Sequence, residues 1–206
     1  MPRLLLATSN PGKAREIRAL LEPRGWRVLT PAQISLDLDP PETGTTYAEN
    51  AAIKAHALAR EANMAALADD SGLEVDVLGG RPGVHSARYG GIDLSAEGKA
   101  ELILRELQAV PEEQRRARFR AAIVIATPDG RSWQTNGVCD GRIAMRPRGS
   151  DGFGYDPIFL LPDRGLTMAE LSLDEKNRIS SRSKAVRAAV EVLDKLRDDR
   201  AFQEEV

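Results

Sequence analysis

Two adjacent carboxylates, Asp69 and Asp70, follow an apolar stretch over 64–68 and precede Ser71 and Gly72. The pattern predicts a buried strand that ends in a glycine turn, and α/β proteins keep their chemistry beyond such strand ends. Like charges a few ångströms apart raise each other's pKa, so a divalent cation, a basic neighbour or a shared proton must offset the repulsion. A metal ion is the simplest answer. An ordinary turn explains the same residues, with Asp69 capping it and Asp70 facing water.

A candidate phosphate-binding loop, Thr8-Ser9-Asn10-Pro11-Gly12-Lys13, joins a predicted strand over 3–7 to a predicted helix over 11–24. A loop of this composition at a helix start presents backbone N–H groups, hydroxyls and a cation to an anion. It is not a Walker loop, because the second glycine and the Ser or Thr after the lysine are missing. An ordinary helix N-cap formed by Ser9 or Asn10 accounts for the loop residues but not for Lys13 in the first helical turn. A lysine there is repelled by the helix dipole, which indicates that it has an anionic partner.

The next segments carry further polar candidates. An irregular stretch over 30–44 contains Glu42, and a loop of this length inside a compact domain is more often functional than idle. A helix is predicted over 47–62, with Thr45 or Thr46 as its cap. Asn50 and Lys54 share one face of that helix and could point together into a cleft, although surface positions are commoner for such residues.

A glycine-rich run, Gly152-Phe153-Gly154-Tyr155-Asp156-Pro157, follows a predicted hairpin over 119–143. Its aromatic faces suit stacking against a nucleobase, while its acid and backbone N–H groups could read the base edge. A tight turn whose aromatic side chains cap the core is the alternative. The stretch 79–91 is interpreted as a binding loop or else a mobile linker, and the segment 179–184 as a second anion site at the start of one last helix. The charged tail after Asp198 is expected to fray.

Composition narrows the class of protein. The 206 residues suit one domain, or a domain with an appended lobe, and a net charge of -2 argues against nucleic acid as the main ligand. Cys139 is the one cysteine, so no internal disulfide can form and a reducing cytosol is expected. Two histidines exclude a histidine-rich zinc site, which leaves oxygen ligands for any metal. The short apolar start predicts neither a signal peptide nor a membrane span, so we expect a cytoplasmic protein.

Taken in order, four stretches resemble the inosine triphosphate pyrophosphatase family over nearly the whole chain. The first two are Thr8-Ser9-Asn10 with Lys13, and Glu42-Thr43-Gly44 followed by Glu49-Asn50-Ala51. The third is Ala68-Asp69-Asp70-Ser71-Gly72-Leu73. The fourth is Gly152 to Pro157 with Lys176-Asn177 and Ser180 to Arg182. Each motif is weak alone, but the ordered set is specific.

The resemblance implies a Mg²⁺-dependent hydrolase that converts the non-standard purine nucleotides ITP, dITP and XTP to the monophosphate and pyrophosphate, which cleans the nucleotide pool. It further implies a single α/β domain over 1–206 with a long mixed β-sheet flanked by helices. Two lobes with a central active-site cleft and a homodimeric assembly are expected from the same resemblance.

The family roles carry over onto matching positions. The resemblance implies that Asp70 is the general base and a metal ligand, that Glu42 is a second metal ligand, and that Ser71 contacts substrate. It assigns the phosphates to Thr8, Ser9, Asn10, Pro11, Gly12 and Lys13. It assigns the nucleobase and sugar side to Phe153, Gly154, Tyr155, Asp156, Lys176 and Arg182. Ser181 is a further substrate-binding position, for the base or a phosphate. Ser181 departs from the pattern, because many members carry histidine there, and this puts one base or phosphate contact in doubt.

The residue chemistry supports the same reaction. A divalent metal held by Glu42 and Asp70, together with Lys13 and with Lys54 as a further cation, would neutralise charge on a pyrophosphate leaving group. Asp70 would deprotonate a water that attacks the α-phosphorus. Donors from Arg182 or the 153–156 loop would favour a keto oxygen over the adenine amine. The rival hypotheses are a pyrophosphatase for modified pyrimidine nucleotides, a general phosphatase, and a nucleotide-sensing or RNA-binding module.

Overall fold

The computed structural model describes residues 1–198, and the predicted fraying of the tail after Asp198 lies outside that range. Seven strands form one sheet in the order β2-β1-β3-β4-β5-β6-β7. β1 is parallel to β2 and β3, whereas β6 is antiparallel to β5 and β7, so the sheet is mixed, as predicted. The strands are β1 Arg3–Leu6, β2 Arg27–Leu29, β3 Ala66–Val75, β4 Arg116–Ala126, β5 Ser132–Ile143, β6 Phe159–Leu161 and β7 Leu166–Thr167.

Six α-helices accompany the strands within the described residues: α1 Pro11–Leu21, α2 Tyr47–Ala62, α3 Ala96–Glu106, α4 Leu173–Ile179, α5 Ser181–Ala188 and α6 Val190–Asp198. α2 matches its prediction because Thr46 and Glu49 form a reciprocal capping box at its start. The prediction of a single last helix is wrong, since α5 ends at Ala188 and α6 begins at Val190. The sequence analysis did not predict α4, although Ser172 and Glu175 form the capping box that marks the start of this helix.

The predicted turn at Asp69 is absent from the structure. β3 continues without interruption through Asp69, Asp70, Ser71 and Gly72 to Val75. Asp, Ser and Gly are poor strand formers, but a central strand with neighbours on both edges holds such residues by its ladder hydrogen bonds and tertiary packing. The two carboxylates therefore lie within a buried strand and not beyond its end.

The chain divides into two compact units. The first comprises Met1–Asp70, Ala121–Gly137 and the C-terminal segment from Arg182. It contains two apolar clusters, one built on α1, α5 and α6 and the other on α2. The second unit comprises Ser71–Arg120 and Val138–Ser181, and its apolar cluster includes residues of α3, β5 and β6. The expected shape of two lobes around a cleft stays a prediction. Over residues 1–198, no helix has the length and apolarity that crossing a membrane requires.

Candidate functional site

Strand alternation separates the two adjacent carboxylates of β3. Leu67 belongs to the apolar cluster with α1 and α5, whereas Ala68 belongs to the cluster with α2. Because successive side chains of a strand point to opposite faces, Asp69 shares the face of Leu67 and Asp70 shares the face of Ala68. The two carboxylates therefore do not face each other, and at Asp69 the compensation is the basic neighbour that the sequence analysis had offered beside a metal ion and a shared proton.

Asp69 is neutralised by cations of the first unit. Its Oδ2 atom lies 2.8 Å from Lys13 Nζ and 3.2 Å from Arg182 NH2. Burial by itself would raise the pKa of Asp69, but the charges of Arg182 and Lys13 hold it well below its usual range. Lys13 thus already has an anionic partner inside the protein, which the sequence argument had sought in a ligand.

Arg182 also pairs with a second buried carboxylate, Glu16. Arg182 NH1 lies 2.5 Å from Glu16 Oε2, and both residues are buried. Sequence reasoning had missed Glu16. The sequence did contain a signal for Glu16. Lys13, Glu16, Ile17 and Leu20 follow the i, i+3, i+4, i+7 pattern of one helix face, so two charged residues, Lys13 and Glu16, share the apolar face of α1.

Asp70 meets a different group of side chains on its own face. Asn50 Nδ2 donates to Asp70 Oδ2 at 3.2 Å, and Lys54 Nζ lies 3.9 Å from Asp70 Oδ1. Lys54 Nζ also lies 2.6 Å from Glu42 Oε1. The prediction that Asn50 and Lys54 point together is confirmed, and both reach a predicted catalytic carboxylate.

The environment of Asp70 favours its neutral form more than water would. Burial raises the pKa of Asp70 above its ordinary value, although the ammonium groups of Lys54 and Lys13 oppose the rise. The nearby charge of Glu42 adds to the increase. A carboxylate with a raised pKa holds a proton more tightly, which improves it as a general base.

Asn50 fixes the loop that carries Glu42. Its Oδ1 atom accepts from the Gly44 backbone N–H at 2.8 Å while its Nδ2 faces Asp70, so one fully buried amide joins the loop to the strand. A Cβ atom at Gly44 would stand 2.6 Å from Glu49 Cβ and 2.8 Å from Asn50 Oδ1. The glycine is needed for this close approach.

The candidate phosphate-binding loop is largely closed upon itself. Asn10 Oδ1 accepts from the backbone N–H groups of Gly12 and Lys13 at 2.9 and 3.1 Å, and Thr8 Oγ1 accepts from Asn10 N–H at 3.1 Å. The capping interpretation of Asn10 is therefore confirmed. Ser9 and Pro11 are exposed, while Lys13 Nζ additionally lies 3.4 Å from the Asp69 carbonyl oxygen. Side chains, more than free backbone N–H groups, are what this loop offers to an anion.

The glycine-rich run of the second unit is a turn held by Asp156. Asp156 Oδ2 accepts from Phe153 N–H at 2.8 Å and pairs with Lys176 Nζ from α4. The same ammonium group lies 4.6 Å from the centre of the Phe153 ring, over its face. Gly152 has φ +79°, and a Cβ atom there would stand 2.1 Å from Asp156 Oδ2.

Tyr155 is part of the core. Its ring is buried within the apolar cluster of the second unit, and its hydroxyl donates to the Ser86 carbonyl oxygen at 2.9 Å. Burial raises the pKa of the Tyr155 phenol, so it stays protonated. For Tyr155, the interpretation as an aromatic cap on the core is confirmed. Ser86 is buried as well, and its Oγ accepts from Leu73 N–H, so the stretch 79–91 is anchored at that point and is not a mobile linker there.

The remaining predicted residues are Ser71, Gly154 and Ser181. Ser71 follows Asp70 in β3 and is partly exposed. Gly154 has φ +63° with open space around its α-carbon. Ser181, at the start of α5, is buried, which leaves its hydroxyl little access to solvent.

The oxygen ligands near Asp70 suit Mg²⁺. Asp70 and Glu42 both approach the ammonium group of Lys54, and carboxylates are the hard ligands that this ion prefers. Within residues 1–198, no group of three or more His, Cys, Asp or Glu side chains could hold a metal ion. Mg²⁺ is commonly bound by one or two carboxylates together with substrate phosphates and water, so two carboxylates suffice for a site of that kind and its occupation by Mg²⁺ stays a prediction.

Comparison with known proteins identifies the family. The Ham1 family model matches residues 4–192, and the chain therefore belongs to the Ham1 family. A relative from Geobacillus kaustophilus, named dITP/XTP pyrophosphatase, is 51% identical over 186 residues, 90% of this chain and 91% of its own length. The protein of the same name from Bacillus subtilis is 46% identical over 94% of this chain and 98% of its own. These relatives confirm the resemblance inferred from the four motifs.

The fold agrees with solved structures of the same family. A HAM1 protein from Coxiella burnetii superposes with a TM-score of 0.84 at 38% sequence identity. The superposition covers 95% of this chain and 100% of the Coxiella chain. The mixed sheet with flanking helices is therefore the family architecture.

The first prediction concerns Asn50. Asn50→Asp is expected to lower the free energy of unfolding by about 2 kcal/mol or more, because a second buried carboxylate would replace the donor that faces Asp70. Urea denaturation at neutral pH, followed by circular dichroism, measures the change. The matched control is Asn136→Asp on β5, where the side chain is exposed and the expected change is below about 0.5 kcal/mol. Equal stability of the two variants would contradict the buried contact.

The second prediction concerns the turn at Gly152. Gly152→Ala is expected to destabilise the protein by about 2 to 4 kcal/mol, because its Cβ would displace the Asp156 carboxylate as well as strain the backbone. Gly154→Ala shares the positive φ but has open space, so only the backbone strain of about 1 kcal/mol is expected. Thermal denaturation of both variants compares them, and a larger loss at Gly154 would refute the close contact at Gly152.

Proposed function

We propose that this protein hydrolyses the non-standard purine nucleoside triphosphates ITP, dITP and XTP to the monophosphate and pyrophosphate. The names of its relatives support this reaction. The observation that carries the proposal is the group formed by Asp70, Asn50, Lys54 and Glu42, in which a buried carboxylate lies beside a buried amide and a lysine. The same chemistry would clean the nucleotide pool.

Asp70 is the proposed general base. Its carboxylate orients a water molecule and takes its proton as the oxygen attacks the α-phosphorus, so no covalent intermediate is needed. Asn50 contributes by holding one carboxylate oxygen, which leaves the other for the water. The rise in the pKa of Asp70 caused by burial supports this role.

Cations of the first unit are assigned to the triphosphate. Lys13 and Lys54 both approach the Asp69 carbonyl oxygen, at 3.4 and 3.2 Å, so their ammonium groups converge on one point of β3. Two positive charges there would stabilise the charge that develops on the leaving pyrophosphate. The hydroxyls of Thr8 and Ser9 remain proposed phosphate contacts, and Ser71 remains a proposed substrate contact.

Glu42 and Asp70 are the residues proposed to hold Mg²⁺. When bound there with the nucleotide, the ion would supply positive charge to the phosphate oxygens. Lys54 would remain nearby to balance the two carboxylates, because its ammonium group contacts both in the structure.

Residues of the second unit are assigned to the nucleobase. Two backbone N–H groups of the turn are already hydrogen-bonded. The N–H of Phe153 donates to the Asp156 carboxylate, and the N–H of Asp156 donates to the Phe153 carbonyl oxygen. We infer that the amides of Gly154 and Tyr155 are the donors for a keto oxygen. Adenine would bring an amine to the same place and leave two donors facing each other, at about 1 to 3 kcal/mol per unpaired group.

Lys176 and Phe153 complete this proposed base site. Because the ammonium group of Lys176 covers one face of the Phe153 ring, a stacked base would use the other face. Ser181 and Arg182 remain proposed contacts, as the family resemblance implies.

Homodimeric assembly and a cytoplasmic location are also part of the proposal. The dimer rests on the family resemblance, whereas the location rests on the single cysteine, Cys139, which fits a reducing compartment. Sedimentation velocity of the purified protein at micromolar concentration is expected to give the mass of a dimer, and a monomeric mass would remove that part.

The third prediction tests the reaction. Pyrophosphate release with Mg²⁺ is expected to be fast for ITP, dITP and XTP and slow for ATP and GTP. Asp70→Asn is expected to reduce kcat for ITP about 100-fold or more, because the carboxylate that accepts the proton is replaced by an amide. Chelation with EDTA should abolish turnover.

The control variant for that assay is Asp76→Asn, whose exposed carboxylate pairs with Arg118 away from the proposed base. It is expected to retain the wild-type rate. Release of orthophosphate in place of pyrophosphate would favour a phosphatase, binding of ITP without turnover would favour a sensor, and equal rates on all five nucleotides would remove the base selectivity.

A further inference from the structure

Four charged side chains of the first unit form a continuous chain, Glu16–Arg182–Asp69–Lys13. Arg182 NH1 lies 2.5 Å from Glu16 Oε2, and Arg182 NH2 lies 3.2 Å from Asp69 Oδ2. The same Oδ2 atom lies 2.8 Å from Lys13 Nζ. This four-charge chain joins α1, the start of α5 and the middle of β3 through side chains alone.

Exposure changes along the four-charge chain. The side chain of Asp69 is 0% exposed, that of Glu16 is 1% exposed and that of Arg182 is 8% exposed, whereas the Lys13 side chain is 15% exposed. Lys13 is therefore the member best placed to meet a ligand from solvent. The other three can influence a bound phosphate most directly through the position of the Lys13 ammonium group.

The charges along this chain are balanced. Two carboxylates and two cations sum to zero, which lets all four remain ionised despite burial. Burial would lower the pKa of Arg182, but the charges of Asp69 and Glu16 raise it above its ordinary value. The planar fork of the guanidinium group suits this bridging task, because it directs two N–H groups to two separate carboxylates.

We propose that Glu16 is a positioning residue that fixes the Lys13 ammonium group by way of Arg182 and Asp69. The inference rests on the proposed function only in naming a triphosphate as the ligand of Lys13. Glu16 draws part of the guanidinium charge away from Asp69. Without that charge, Arg182 would bind Asp69 more strongly and compete with Lys13 for the shared Oδ2 atom. Lys13 would then lose its fixed position, and phosphate binding would weaken.

A double-mutant cycle tests this coupling. Glu16→Gln removes the charge at nearly constant shape, and the substitution is made in the wild type and in Lys13→Met. In the wild type, the Kd for inorganic tripolyphosphate, measured by calorimetry, is expected to rise about tenfold, by analogy with the loss of a residue that orients a metal ligand. In the Lys13→Met background, the change is expected to be below about twofold, because the group through which Glu16 acts is gone.

Tripolyphosphate is chosen because it has no base. A direct base contact by Arg182 would not alter its affinity, whereas a positioning role would. The loss in kcat/KM for ITP is expected to match the loss in tripolyphosphate affinity and to arise in KM. Glu22→Gln, an exposed neighbour at the end of α1, is the matched control and should change neither quantity.

Two results would overturn the inference: an unchanged Kd in Glu16→Gln, or an equal rise in both backgrounds, which would indicate a general structural effect. If Glu16→Gln does not fold, Arg182→Lys enters the same cycle, since it keeps the charge but removes the fork. The proposed function is tested separately by turnover of ITP in the wild type. An inert wild type would refute that function while the tripolyphosphate cycle still decides the role of Glu16.

Discussion

The alternation of side chains along β3 is the constraint on which the rest of the site depends. Two acidic residues in succession within a buried strand must point to opposite faces, so each requires its own source of positive charge. α1 and α5 supply Lys13 and Arg182 on one face, and α2 supplies Lys54 on the other. Ion pairs with β3, as well as apolar packing, therefore hold these helices against the strand.

This separation divides the work between the carboxylates. Asp69 is fully buried beside two cations, and its pKa is held below the usual range, so it is committed to its charged form. Asp70 has weaker compensation, and burial raises its pKa, so it can exchange a proton more readily. Residues that look equivalent in sequence are therefore suited to different tasks, Asp69 to holding charge and Asp70 to chemistry.

Local sequence signals predicted α2 and the hairpin of β4 and β5, although the capping box of α4 was overlooked. The bounds of α2 were predicted because the residues that cap it and those that form its apolar face all lie within one short segment of the chain. The hairpin of β4 and β5 followed from the turn at Asp129 and Gly130. The course of β3 through Asp69 to Gly72 could not be predicted in this way, since it depends on strands from distant parts of the sequence.

At the site, the motifs could be recognised from their order in the sequence, but the residues that each side chain contacts could not be predicted. Arg182 and Glu16 are 166 positions apart, so no local pattern relates them. Arg182 was therefore interpreted only as a contact for a ligand, either an anion or the nucleobase and sugar. The same holds for Asp156, which resembles a free reader of a base edge but is engaged by Phe153 and Lys176. In this chain, charged residues of separate motifs are partners of one another, as Asp69 is of Lys13 and Arg182. A charge that is paired inside the protein is less available to a ligand, and for this reason the proposed base selectivity relies on backbone N–H groups as well as on Arg182.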